Sequence, residues 1–125
     1  MQYPNELKYS KDHEWLRIVD GEAYIGITAF AQSELGDIVF VDIEALEEDL
    51  DIEEVFGTVE AVKTVSDLFM PVSGKIVAVN ERIENEPELI NNDPYGEGWF
   101  IKIRIKDLDE LQLLLDAEDY IKLIE

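Results

Sequence analysis

Apolar and polar positions alternate along this chain in short runs, and the run with most consequence ends at a lysine. Val55 to Val62 is apolar at most positions over the length of one strand, and Thr64 to Asp67 interrupts it with small polar residues. The pattern predicts a strand that stops at Lys63 and a turn that places the lysine on a hairpin tip. Pro71-Val72-Ser73-Gly74 is a second turn signal, and Lys75 to Asn80 a second strand.

The remaining segments follow the same logic. Trp15 to Val19 and Glu22 to Ile27 flank Asp20-Gly21, a dipeptide suited to a two-residue hairpin turn. Thr28 is placed to cap a short helix through Leu35, and Gly36 to stop it. Asp37 to Ile43 reads as a strand. The acidic stretch Glu44 to Glu54 reads as a solvated turn and strand entry, Glu81 to Gly98 as a long loop, and Trp99 to Ile105 as a closing strand. Leu108, Leu111 and Leu115, then Tyr120, Leu123 and Ile124, recur at helical spacing, with Asp107 and Asp116 as caps. A small β sandwich with short C-terminal helices is expected. Phe56 to Val62 and Lys75 to Val79 also form a faint internal duplication, a likeness that any two strands of a sandwich can share.

Composition narrows the function classes. The length of 125 residues fits a single domain spanning 1–125. Thirty acidic against ten basic residues give a net charge of -20, which repels nucleic acid and anionic lipid. With 46% hydrophobic residues the chain is too apolar for a disordered acidic tail. The N-terminus lacks a basic region followed by an apolar core, and no apolar run reaches membrane-spanning length, so a soluble cytoplasmic protein is expected.

Catalytic chemistry has few places to reside. There is one histidine, His13, and no cysteine, so nucleophilic triads and thiolate or imidazole metal sites are disfavoured. Asp49-Leu50-Asp51-Ile52-Glu53 lacks the central glycine and terminal glutamate of a calcium loop. Gly74-Lys75 and Gly96-Glu97-Gly98 lack the rest of any phosphate-binding pattern and read as turns. No metal is expected, and the chain reads as a non-enzyme.

The run Gly57-Thr58-Val59-Glu60-Ala61-Val62-Lys63, with Ser66-Asp67-Leu68 and Pro71 to Asn80 after it, resembles the lipoyl-lysine region of the glycine cleavage H-protein family. His13-Glu14-Trp15, Gly26-Ile27-Thr28, Ala31-Gln32, Leu35-Gly36-Asp37, Pro87 to Asn91 and Asp93 to Trp99 look like that family's signatures, in order over nearly the whole chain. The resemblance implies a barrel-sandwich hybrid of the lipoyl and biotinyl type. It also implies covalent lipoate on Lys63 and a carrier that is not a catalyst. In the family, the lipoyl arm takes an aminomethyl unit at a pyridoxal-phosphate glycine decarboxylase and carries it to a tetrahydrofolate-dependent aminomethyl transferase. Dihydrolipoamide dehydrogenase then reoxidises the arm, and lipoyl-attaching enzymes install it. Glu14 matches a residue near the cleft that receives the loaded arm, although a strand-end carboxylate can equally serve backbone donors. Glu60, Ala61, Thr64 and Asp67 are the other candidate cleft or tip residues.

The chain departs from the family pattern in three places. Ala61 stands for the usual serine before Val-Lys, and Thr64 for the usual alanine after it. Glu44 to Leu50 replaces a proline-glutamate-valine-glycine turn, and Ala29-Phe30 replaces an acidic residue and a frequent histidine. Three other readings stand beside glycine cleavage: a lipoyl carrier in a sulfur-oxidising heterodisulfide-reductase-like pathway, one in lipoyl relay, and an unmodified interaction module. A biotinyl carrier is disfavoured because Val62 and Thr64, not methionines, flank Lys63.

Overall fold

A computed structural model describes residues 2–125. The strands are β1 (Lys8–Tyr9), β2 (Glu14–Val19), β3 (Glu22–Ile27), β4 (Ile38–Asp42), β5 (Asp49–Leu50), β6 (Val55–Ala61), β7 (Val65–Phe69), β8 (Gly74–Val79) and β9 (Ile101–Ile105). The helices are α1 (Ala29–Leu35), α2 (Arg82–Asn85), α3 (Glu88–Asn92) and α4 (Ala117–Ile124), with a 3₁₀ turn at Leu108–Leu113. A six-stranded sheet runs β1-β2-β3-β9-β8-β5 and a three-stranded sheet runs β4-β6-β7, each antiparallel throughout.

The inward faces of the two sheets share one core, with Leu16, Ile25, Ile76 and Ile103 from the large sheet and Val41, Val59 and Leu68 from the small one. This is the expected sandwich, and burial of these faces is its principal support. The Asp20-Gly21 turn has φ of 51° and 80°, the left-handed pair that a two-residue turn between β2 and β3 requires. Thr28 caps α1 by accepting from Ala31 N, and Asp116 caps α4 by accepting from Asp119 N.

Three expectations need correction. Thr64 to Asp67 is not a polar break, because β7 begins at Val65 and pairs Ser66 with Val59 and Asp67 with Thr58. Cross-strand hydrogen bonding overrides the small polar side chains once the chain has turned back on β6. The stretch from Glu81 to Gly98 is not wholly loop, since α2 and α3 form there and bury Ile83 and Ile90. The leucines after Asp107 wind as a 3₁₀ turn, so only the segment after Asp116 is an α-helix. The two strands of the faint duplication lie in different sheets: β6 is central in the small one and β8 belongs to the large one.

A second apolar cluster, Leu7, Tyr9, Trp15, Ala117 and Tyr120, joins the two ends of the chain over the large sheet. Tyr9 and Tyr120 stack with centroids 4.8 Å apart. Tyr120 Oη lies 2.8 Å from Thr28 Oγ1 and 2.9 Å from His13 Nδ1, so one hydroxyl ties α4 to the cap of α1 and to the loop before β2. Tyr120→Phe keeps the stacking and leaves both partners short of a hydrogen bond. We expect it to destabilise the fold by about 1–3 kcal/mol, read as a lower denaturant midpoint with an unchanged m-value.

Candidate functional site

Lys63 stands at the tip of the β6–β7 hairpin, exposed between exposed Val62 and exposed Thr64. Below it the base is tied. Ala61 N donates to Thr64 O at 2.8 Å, Val62 N donates to Asp37 O at 3.2 Å, and Glu60 pairs with Val65. No tip residue has positive φ, so ordinary side chains occupy the turn without strain. No described acidic side chain forms an ion pair with the Lys63 amine. A free amine on a four-carbon stem above a hydrogen-bonded base suits acylation by an external enzyme, and that arrangement fits the lipoyl attachment.

The other sequence candidates divide by direction. Glu60 and Thr64 are exposed beside the lysine, and Asp67 is exposed further along β7. Ala61 does not line the tip surface: it is 5% exposed and belongs to the core between the sheets. Alternation turns it inward, because its neighbours Glu60 and Val62 point to solvent.

Where the small sheet parts from β2, β3 and α1, a cleft of about 240 Å³ opens. Glu14 and Asp67 line it from opposite sides, together with His13, Phe30, Leu35 and Leu68. The structure thus brings two of the candidate residues into one cavity and leaves Lys63, Glu60 and Thr64 at the hairpin end. Phe30 packs against the His13 ring at 4.9 Å, so the family departure at this position forms an aromatic wall. Burial holds the His13 pKa below its ordinary value, opposed by Asp12 and Glu34, which favours a neutral ring. Neither His13 nor Phe30 stood out as a cleft residue in the sequence, since they meet only when α1 folds over the loop before β2.

Glu14 is the buried acid of this cleft, at 2% exposure. One carboxyl oxygen accepts from Phe69 N at 2.9 Å and the other from Ser10 Oγ at 3.1 Å. It therefore satisfies a backbone donor of β7 and faces the cavity as well. Burial pushes its pKa up to about 8, with Asp12 and Glu53 adding and the two hydrogen bonds opposing. At neutral pH the group is mainly a neutral acid that a nearby cation would ionise.

The arrangement has close counterparts. The glycine cleavage H-protein family model matches residues 7–125. Glycine cleavage system H proteins of Bacteroides thetaiotaomicron and Bacteroides fragilis are each 54% identical over 120 residues, covering 96% of this chain and 95% of theirs. The crystal structure of a glycine cleavage system H protein from Mycobacterium marinum superposes with a TM-score of 0.87 at 40% identity, covering 95% of this chain and 96% of that one.

Two outcomes follow from these environments. Ala61→Ser places a hydroxyl in the core and should lower stability by about 1–3 kcal/mol, measured by thermal unfolding. For Glu14, the folded-state pKa of about 8 lies above the reference 4.5, so the fold keeps a proton that the unfolded chain has released. Its contribution to stability therefore falls as pH rises through that window and levels off above it. Unfolding midpoints of wild type and Glu14→Gln across a pH series should diverge through the window, with the wild type losing more; parallel curves would contradict the raised pKa. Through its hydrogen-bonded hairpin, its aromatic cleft and these matches, the chain belongs to the glycine cleavage H-protein family.

Proposed function

We infer that this chain is the carrier protein of a glycine cleavage system, holding a lipoyl group in amide linkage on Lys63. The observation that carries the reading is the unpaired Lys63 amine at the end of a hairpin whose base is fixed by the Val62–Asp37 and Ala61–Thr64 hydrogen bonds. When bound, the lipoyl group supplies the sulfur chemistry that a cysteine-free chain lacks. The protein is not itself a catalyst. It acts in the cytoplasm with a pyridoxal-phosphate glycine decarboxylase, a tetrahydrofolate-dependent aminomethyl transferase and dihydrolipoamide dehydrogenase.

The residues have distinct parts in this reading. Lys63 tethers, and β6 and β7 hold its Cα so that the arm sweeps a volume of on the order of 14 Å radius, by ordinary bond lengths. The cleft shelters the cargo end of the arm from water. Glu14 would face a cationic group carried into the cleft, and a cation beside this buried carboxyl would favour its ionised form. Asp67 sets a second carboxyl on the cleft wall, and Phe30 and Leu35 would cover an apolar stem lying there. The exposed acidic surface steers the carrier toward basic patches on its enzymes.

The match with relatives named for glycine cleavage favours this reading over a sulfur-pathway carrier or a lipoyl relay. Incubation with lipoate, ATP and a lipoate ligase should raise the intact mass by one lipoyl unit in wild type and not in Lys63→Ala. The lipoylated protein should support glycine-dependent release of carbon dioxide by a glycine decarboxylase, and Lys63→Ala should give none. A fully lipoylated protein inactive with the decarboxylase of its own source would defeat the assignment to glycine.

A further inference from the structure

The outer face of the small sheet carries apolar side chains beside the lysine. Val39, Phe40, Val62 and Val65 are 49, 52, 75 and 62% exposed. Phe40 pairs with Glu60 and Glu60 with Val65, so the three form one row across β4, β6 and β7, directly below the tip. The backbone turns Phe40 outward. Ile38-Val39-Phe40-Val41 is apolar throughout, and regular alternation would bury Phe40 with Ile38. A bulge between Ile38 and Phe40 instead leaves Ile38 and Val41 in the core and Val39 and Phe40 in solvent.

Charge around this row has one sign except at the lysine. Between Arg17 and Lys75, Lys63 is the only lysine or arginine against fourteen aspartates and glutamates. Asp42 lies on the same strand as Phe40, Glu60 stands in the row, and the Asp37 carbonyl holds the tip. Two copies of such a face repel one another, so a second copy of this chain is a poor occupant. A partner with an apolar socket ringed by arginine or lysine fits.

We propose that this face is the docking surface for the enzyme that acylates Lys63; the proposal rests on the lipoyl reading above. The reach of the amine selects this enzyme among the partners. A bare lysine extends roughly 6 Å from its Cα, by ordinary bond lengths, so an enzyme acting on the amine must press against the tip and cover Val62 and Val65. Enzymes that meet the acylated arm are reached from on the order of 14 Å and need not cover this row.

The test compares the Phe40→Ser/Val65→Ser double variant and Glu60→Arg with wild type, using lipoate, ATP and a lipoate ligase, with initial rates read by intact mass. Each variant should lose on the order of tenfold in kcat/KM while keeping its far-UV spectrum and unfolding midpoint. Glu60→Arg removes no apolar contact and sets a positive charge against the basic ring, so it probes the same face independently. After prolonged incubation to full lipoylation, both variants should be turned over by dihydrolipoamide dehydrogenase at the wild-type rate. Unchanged lipoylation rates would overturn the proposal. Equal slowing at the dehydrogenase would overturn the assignment to the acylating enzyme, as would a wild-type dimer in sedimentation that the variants lose without change in lipoylation. A wild-type chain that takes no lipoate would remove the carrier reading itself, a result separable from all of these.

Discussion

The antiparallel register of β6 and β7 is the constraint on which the rest depends. Pairing Glu60 with Val65 and Val59 with Ser66 leaves Val62, Lys63 and Thr64 outside the sheet. A shift of one residue would turn Val59, Ala61 and Leu68 out of the core, so burial of those side chains enforces the register. The exposure of one lysine is thereby secured by apolar contacts beneath it. A carrier needs this division, because the tether must be mobile while its origin stays fixed.

The same pairing places the cleft. With β6 central in the small sheet, β7 forms a free edge, and one of its donors, Phe69 N, is satisfied by a carboxyl oxygen of Glu14 from the opposite sheet. An edge strand would ordinarily expose such groups to other chains. Here an acid from β2 reaches across to it, lines the cavity and is itself buried. One side chain thus satisfies the backbone and lines the cavity, while its burial, against the pull of that hydrogen bond, raises the carboxyl pKa. The wall opposite is set by the Thr28–Tyr120–His13 hydrogen bonds, through which the C-terminal helix fixes the start of α1.

Acidic composition and the fold act at different ranges. Surface carboxylates govern encounter with other proteins over about a Debye length, roughly 10 Å at 0.1 M salt. The ion pairs that do form, such as Lys102 with Glu22 at 3.3 Å and Arg82 with Glu97 at 2.8 Å, are partly or largely exposed and add little to stability. The core between the sheets carries stability, which leaves the outer face of the small sheet free to present Phe40 and Val65.

The sequence by itself determined the local devices: the strand that stops just before Lys63, the Asp20-Gly21 turn with its left-handed φ values, the Thr28 and Asp116 caps, and the motif order that marks the family. Each rests on near neighbours in the chain, so its signal survives without a fold. Tertiary structure alone decided the rest. β7 forms over small polar residues because β6 offers it partners, and α2 and α3 form in a turn-rich stretch because Ile83 and Ile90 find the core. Asn91 pairs the backbone of Ile38 through both its amide atoms, across 53 residues, which no local pattern could announce. Glu14 is an ordinary acid in the sequence, and Ala61 an apparent tip residue. Only the closing of one sheet over the other removes both from water, since burial depends on atoms that the chain brings from far away.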